Sequence, residues 1–126
     1  MTIRQNGQII AGSDINSQNL AECYVVVETW HSDTEWYRVW SDGWCEQGGR
    51  KERTATGIID VTLLKPFTNL NYNVQATNRA SESYTSASTF YPPYTLNHSI
   101  TGFSMSSNAS ISNIKYFEWV AYGFIS

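Results

Sequence analysis

The sequence predicts an all-β fold, an antiparallel β-sandwich of about eight short strands, and three observations support this. Apolar and polar residues alternate with a period of two in one segment after another, and turn residues separate these segments. Helical spacing of apolar residues is hard to find. The segments are rich in β-branched and aromatic residues, and aromatics make up 14% of the chain. A length of 126 residues is enough for one domain with a modest core.

The first twenty residues fit the strand pattern poorly. They are mostly polar, with short apolar pairs such as Ile9-Ile10. They lack the continuous apolar stretch of a signal peptide, and no segment of the chain reaches the length of a transmembrane helix. We therefore expect residues 1–20 to form a linker or lead-in segment and residues 21–126 to form the β-sandwich.

The first predicted strands surround a tight turn. The segment "CYVVVETW" (23–30) is β-branched and aromatic, which favours a strand. The segments "WYRVW" (36–40) and "WCEQ" (44–47) flank Asp42-Gly43. An Asp-Gly pair between aromatic strands is typical of a hairpin, because glycine adopts the positive φ that the turn requires.

Three tryptophans, Trp36, Trp40 and Trp44, are concentrated around this turn. Aromatic pairs across a hairpin fix its register and bury a large apolar area. We therefore interpret these three side chains as structural.

Further strands are predicted in segments 57–64, 71–77 and 100–105. In the first of these, apolar residues alternate with Asp60 and Thr62, and Pro66 ends the strand because proline cannot donate to a sheet. Segment 79–89 is polar with weak strand character near Tyr84. Segment 90–99 contains Pro92-Pro93 and is predicted to be a loop or a sheet edge.

The last predicted strand, "KYFEWVAYGFI" (115–125), is apolar on both faces. One face carries Phe117, Trp119, Ala121 and Ile125, and the other carries Tyr116, Val120, Tyr122 and Phe124 with Glu118. Such a strand is usually covered on both sides. In a domain this small, another subunit is the candidate for the second cover.

The charge of the chain narrows the choice of partners. A net charge of −3 argues against nucleic acid and against an anionic membrane, since both select clustered Lys and Arg. Charged residues are only 15% of the chain, so its surface must be neutral-polar and partly aromatic. That surface is either buried between subunits or kept for a ligand, or both. The basic cluster 50–53 is interpreted as a solvated loop.

No catalytic constellation is present in the sequence. It contains no nucleophile elbow, no phosphate-binding glycine loop and no paired-histidine metal motif, so we expect no enzyme activity, no cofactor and no metal. The two cysteines, Cys23 and Cys45, are expected to be free thiols in the core. Asp33 and Glu35 lie beside tryptophans, where carboxylates can bind or cleave sugar, but a surface loop is the simpler interpretation.

A binding function is indicated by the loops around 78–98. Aromatic rings stack on sugar faces while amides and hydroxyls hydrogen-bond the sugar hydroxyls, and tyrosine offers contact area at a low entropic cost. The candidate ligand-binding residues are Arg79, Glu82, Tyr84, Tyr91, Tyr94, Asn97 and His98. The alternative, that Tyr91 and Tyr94 only pack beside the two prolines, remains open.

The segment "YVVVETWHSDTEWYRVWSDGWCEQGG" (24–49) resembles a recurring segment in the C-terminal domains of tailed-bacteriophage tail fibres. The matching residues are 24–28, 36–38, 43–44 and 46–49. The segments "VTLLKPFTNLNYNVQAT" (61–77), "GFSM" (102–105) and "WVAYG" (119–123) resemble later family segments in the same order. The resemblance covers residues 23–126.

The resemblance implies a β-sandwich knob at the distal end of a fibre, assembled as a homotrimer. It implies adhesion of the virion to a host bacterial surface receptor, either lipopolysaccharide, capsule or an outer-membrane protein. It implies no enzyme activity and no signal peptide, because virions assemble in the host cytoplasm. The chain lacks the long upstream shaft and the virion-attachment region, so we expect a fragment or a short separate tip.

By the same resemblance, five aromatic residues are assigned to the scaffold or to the subunit interface, in the core or between chains. These residues are Trp36, Trp40, Trp44, Phe117 and Trp119. Receptor binding would then fall to the loops, and residues 78–113 match no family segment. The alternatives are a purely structural domain that trimerises or caps a shaft, a monomeric carbohydrate-binding module and, last, a glycan-cleaving enzyme.

Overall fold

The computed structural model describes residues 4–5, 8–9, 23–84 and 90–126, and their regular secondary structure is entirely β. The strands are β1 (Arg4–Gln5), β2 (Gln8–Ile9), β3 (Val26–His31), β4 (Glu35–Trp40), β5 (Trp44–Glu52), β6 (Ile59–Thr62), β7 (Asn73–Ala80), β8 (Tyr94–Ser99), β9 (Gly102–Ser106) and β10 (Ile114–Phe124). Within these described ranges, no helix could span a membrane.

Eight of these strands form two antiparallel sheets, which confirms the predicted fold class and strand number. The large sheet has the order β3-β4-β5-β10-β7, and the small sheet has the order β6-β9-β8. The strands β1 and β2 pair only with each other. The rest of the predicted lead-in, residues 1–20, lies outside the described residues.

The core lies between the two sheets and follows the period-two alternation of their strands. In β6 and just beyond it, Ile59, Val61 and Leu63 are buried while Asp60 and Thr62 are exposed, as the sequence predicts. The ring of Phe103 on β9 meets the ring of Trp119 on β10 edge to face, with centroids 5.5 Å apart. The small sheet therefore covers one face of β10.

The turn between β4 and β5 is the predicted hairpin. Gly43 has a φ of 90°, and its N–H donates to the carbonyl oxygen of Trp40 at 2.9 Å. The carboxylate of Asp42 accepts a hydrogen bond from the N–H of Trp44 at 3.1 Å. Asp42 and Gly43 thus have the two roles that the sequence assigns to an Asp-Gly turn.

A buried glutamine fixes the connection between β6 and β7 to the large sheet. The side-chain oxygen of Gln47 accepts hydrogen bonds from the N–H groups of Leu64 and Lys65 at 2.8 and 3.1 Å. Its side-chain nitrogen donates to the carbonyl of Lys65 at 2.7 Å. Because Gln47 is fully buried, these bonds satisfy polar groups that water cannot reach.

The interpretation of residues 50–53 as a solvated loop is wrong. Residues 50–52 continue β5, and Arg53 is only 2% exposed. The guanidinium of Arg53 donates to the carbonyl oxygens of Ile114 and Ala109 at 3.0 and 2.8 Å, and it lies 4.8 Å from the ring centre of Phe117. Burial lowers the pKa of Arg53. The hydrogen bonds of Arg53 therefore connect the end of β5 to β10 and to the loop before β10.

The segment 90–99 contains β8, which is an edge strand of the small sheet. This confirms the edge alternative of the prediction. Pro92 and Pro93 precede the strand, so they remove no hydrogen bond from it.

Both cysteines are buried, and burial raises the pKa of the Cys45 thiol to about 11.

Candidate binding surfaces

The large sheet has an outer face, which points away from the small sheet and is rich in aromatic side chains. The strand register places on this face Trp36, Arg38 and Trp40 of β4; Trp44, Glu46 and Arg50 of β5; and Tyr116, Glu118, Val120, Tyr122 and Phe124 of β10. The ring of Trp44 lies 5.2 Å from that of Phe124 and 6.0 Å from that of Tyr122. We call this set of residues the outer face.

The aromatic residues assigned to the scaffold divide into two groups. Phe117 and Trp119 are buried in the core between the sheets. Trp36 is 36% exposed, and Trp40 and Trp44 are half-buried on the outer face. For these three the core alternative is wrong, since none of them belongs to the core cluster. Their place between chains stays a prediction.

The two glycines that follow Gln47 make room for the outer face and for the turn between β3 and β4. A Cβ at Gly48 would lie 3.0 Å from the indole of Trp36 and 2.7 Å from the carbonyl oxygen of Trp119. A Cβ at Gly49 would lie 2.8 Å from the carbonyl oxygen of Thr34. Trp36 can therefore lie against β5 only because position 48 has no side chain.

A shallow charged depression of about 210 Å³ lies at one end of the outer face. It brings together Trp36, Arg50, Arg79 and Glu118, with Asp33 from the turn before β4 and Glu35 from the start of β4. A guanidinium nitrogen of Arg79 lies 3.8 Å from the Glu118 carboxylate, which is an ion pair without a good hydrogen bond. Both signs of charge are present, so the depression has no strong preference for an anion.

The structure separates the seven predicted ligand-binding residues into groups. Arg79 lies on β7 and pairs with Glu82 at 3.6 Å, and Tyr84 lies 5.9 Å from Phe90, ring to ring. The other four precede or belong to β8 on the small sheet: Tyr91, Tyr94, Asn97 and His98. The intervening residues 85–89 lie outside the described residues.

Within the second group, two rings are open to solvent. Tyr91 is 74% exposed and Tyr94 is 59% exposed. Asn97 has a φ of 54°, and the ring nitrogen Nε2 of His98 lies 2.9 Å from the hydroxyl of Thr95. The side-chain nitrogen of Asn78 donates to the carbonyl oxygen of Tyr91 at 3.0 Å, so β7 and the segment before β8 are in contact. The role of the seven residues in binding stays a prediction.

A different site, which the sequence analysis missed, lies where β10 extends beyond the first residue of β7. It is a cleft of about 320 Å³, which we call the aromatic cleft. It is lined by Trp44, Phe67, Thr68, Asn69, Asn71, Tyr72 and Phe124. These residues come from three distant segments, and the amide-rich run "TNLNYN" (68–73) is the only local signal that could have indicated it.

Within the described ranges, no three His, Cys, Asp or Glu side chains are grouped closely enough to hold a metal ion. The charged depression contains three carboxylates beside a tryptophan, but its described residues include no histidine or cysteine. The expectation that the chain is not an enzyme stays a prediction.

The fold is similar to that of a known tail fibre. The match is to a structure of an N-truncated R2-type pyocin tail fibre, with a TM-score of 0.58 and 16% sequence identity. It covers 79% of this chain and 39% of the other, so this chain spans well under half of that protein. Neither protein-family models nor curated protein sequences match the chain. The resemblance to tail fibres is thus confirmed at the level of the fold.

Proposed function

We propose that this chain is the receptor-binding tip of a bacteriophage tail fibre and mediates adhesion of the virion to a host bacterial surface. One observation carries the proposal: a fold shared with a tail fibre over 79% of the chain, in a sequence whose segments resemble tail-fibre tips in the same order. In this proposal the chain is made in the host cytoplasm and assembled into the virion. Its receptor is a surface polysaccharide or an outer-membrane protein.

We further propose that the tip is a homotrimer and that the part of the outer face around Trp36, Tyr116 and Val120 lies between its subunits. Each chain presents Trp36, Tyr116 and Val120 on a face that nothing covers among the described residues. A contiguous exposed aromatic patch on a soluble protein is typical of an interaction site. The same face carries arginines and glutamates, and the guanidinium of Arg50 has no carboxylate within 4 Å among the described residues. A second copy can supply the missing partner.

The native mass tests the assembly. Light scattering on the purified protein is expected to give about three times 14.3 kDa. A lysine at Val120 would bury an unpaired charge in the interface, so Val120→Lys is expected to reduce the mass to that of one chain. The matched control is Thr62→Lys on the exposed side of β6, which should leave the mass unchanged. A monomeric parent protein would contradict the trimer and favour a monomeric carbohydrate-binding module.

Cell binding tests the adhesion. Fluorescently labelled trimer is expected to bind saturably to some strains in a panel of Gram-negative bacteria, and excess unlabelled protein should displace it. A protein that is trimeric but binds no strain would contradict adhesion and favour the purely structural alternative. Release of reducing sugar from the polysaccharide of a bound strain would contradict the absence of enzyme activity.

A further inference from the structure

We propose that the aromatic cleft is a binding site for an uncharged sugar unit of a surface polysaccharide, an inference that rests on the proposed adhesion function. The cleft differs from the loop residues 79–98 that the sequence indicates as the ligand site. Three features of its lining carry the inference: a preformed aromatic wall and floor, free amide groups on its rim, and the absence of charge.

The wall and the floor of the cleft are held in place by the fold. Trp44 and Phe124 pack edge to face at 5.2 Å, and Phe124 remains 47% exposed. The rings of Phe67 and Tyr72 stack at 4.5 Å and are buried. An exposed aromatic face beside a rigid floor allows the apolar C–H groups of a pyranose to pack without rearrangement of the site, which reduces the entropic cost of binding.

The floor is rigid because of its contacts on both sides. A Cβ at Gly123 would lie 2.9 Å from the Cβ of Tyr72 and 3.2 Å from the ring of Phe67, so these rings lie directly on the backbone of β10. The hydroxyl of Tyr72 donates to the carbonyl oxygens of Ser99 and Gly102, at 2.8 and 3.1 Å. That hydroxyl is therefore already engaged, and ligand recognition falls to other polar groups.

The rim of the cleft supplies those groups. The N–H of Asn71 donates to the side-chain oxygen of Asn69 at 2.8 Å, which fixes the turn. The side-chain amide of Asn71 and the amide nitrogen of Asn69 form no hydrogen bond with any described residue. An amide offers two donors and one carbonyl acceptor, a set that matches pairs of sugar hydroxyls.

The charge and the size of the cleft define the class of ligand. None of its lining residues is charged at neutral pH, in contrast to the depression that contains Arg50, Arg79 and Glu118. An acidic sugar would lose water without gaining a cation, so a neutral sugar is favoured. A volume of about 320 Å³ is at the small end of ligand pockets, which suits a single sugar ring whose neighbours extend into solvent.

Nuclear magnetic resonance titration of the full chain tests the site. The probes are galactose, glucose, mannose and N-acetylglucosamine, with glucuronate as the charged comparison, all at millimolar concentrations. At least one neutral sugar is expected to shift the side-chain amide signals of Asn69 and Asn71 and the indole N–H signal of Trp44. Glucuronate should shift them less. Shifts confined to other residues, or no shifts with any neutral sugar, would overturn the proposal.

A pair of variants locates the effect. Asn71→Ala removes the free amide at the rim but keeps the backbone bond to Asn69, and it is expected to weaken sugar binding by about tenfold, the equivalent of one well-formed hydrogen bond. The control is Asn108→Ala, which removes an exposed amide outside the cleft lining, in the loop between β9 and β10. Equal binding by Asn71→Ala and the parent would overturn the assignment.

The cell-binding assay separates this proposal from the adhesion function. If Asn71→Ala loses the free sugar but binds cells like the parent, the cleft is not the adhesion site, and the inference of a polysaccharide ligand there is wrong. If the parent binds the sugar in the cleft but no bacterial strain, the cleft remains a sugar site and the adhesion function fails.

Discussion

The two faces of β10 are almost equally apolar in sequence, but the structure treats them differently. The inner face carries Phe117, Trp119 and Ala121, which are buried within one chain. The outer face carries Tyr116, Val120, Tyr122 and Phe124, which stay half-buried or exposed within one chain. Period-two alternation thus identifies two apolar faces, but it cannot say which one a chain covers by itself and which one it leaves for a partner.

This difference separates folding from assembly. Removing an inner-face side chain should destabilise a single chain, because the cavity it leaves cannot be filled by a partner. Removing an outer-face side chain should leave the single chain folded and affect only what associates with it. The following predictions test this division between the inner and the outer face, in order of decreasing expected effect on stability.

Phe117→Ala is expected to have the largest effect. Phe117 is fully buried and lies against the Arg53 guanidinium, so its loss should reduce the free energy of unfolding by about 3–5 kcal/mol. Urea denaturation followed by tryptophan fluorescence measures this. A loss below about 1 kcal/mol would be typical of a surface position and would contradict the inner-face assignment.

Gln47→Ala is expected to come next. It removes the side-chain partner of the N–H groups of Leu64 and Lys65 and of the carbonyl of Lys65, which are partly buried, at a cost of about 2–4 kcal/mol. The same denaturation experiment measures it. Asn108→Ala in the exposed loop between β9 and β10 is the matched control and should change stability by less than about 0.5 kcal/mol. Equal effects of the two changes would refute the role given to Gln47.

Trp36→Ala tests the outer face itself. Within one chain this indole, which is 36% exposed, should contribute only about 1–2 kcal/mol, less than a fully buried aromatic ring. If copies cover this face, the loss should grow with protein concentration, since association stabilises the folded state by mass action. Thermal unfolding of parent and variant over a range of protein concentrations checks this, and a concentration-independent difference would contradict the interface.

The smallest effect on stability is expected for Glu28→Gln. Glu28 lies on β3 at the edge of the large sheet, where it forms an exposed cluster with Tyr37 and Lys65. The ammonium of Lys65 lies 2.8 Å from the Glu28 carboxylate, and the hydroxyl of Tyr37 also donates to that carboxylate. The hydrogen bonds from Lys65 and then from Tyr37 hold the pKa of Glu28 below its ordinary value of 4.5.

A folded-state pKa that is lowered adds stability above pH 4.5, and this stability is lost as the pH falls through the folded value. Glu28→Gln should therefore be slightly less stable than the parent at pH 7 and equally stable in acid. Urea titrations at both pH values check this. A stability difference that persists unchanged in acid would mean that the charge of Glu28 is not its cause. Water screens this exposed cluster, so the effect is small.

The sequence predicted the parts of the fold that depend on local patterns. Alternation placed Ile59, Val61 and Leu63 in the core, and Asp42-Gly43 marked the hairpin, because both signals are contained in a few consecutive residues. The two-faced pattern of β10 was also visible. The burial of Arg53 was not, since its partners are the carbonyl oxygens of Ile114 and Ala109, far along the chain.

The candidate site was harder to predict for the same reason. The seven candidate residues are close in sequence, but Arg79 lies on β7 of the large sheet and Tyr94 lies on β8 of the small sheet. The aromatic cleft joins Trp44, Phe124 and the 67–72 loop, which only the completed register of β5 and β10 brings together. A site that is built from segments distant in sequence gives no recognisable pattern in any single segment.

The position of β10 has a consequence for how the chain is made. Of the described strands it is the last to be synthesised, yet it lies in the middle of the large sheet, between β5 and β7. At translation speeds of about 5–20 residues per second, both neighbouring strands wait for seconds with unpaired edges. On a polysome, several copies of this chain are synthesised close together. An unpaired strand edge of one copy can then pair with a strand of another copy instead of with its own β10. The large sheet of this protein can therefore be completed only when Phe124 has left the ribosome.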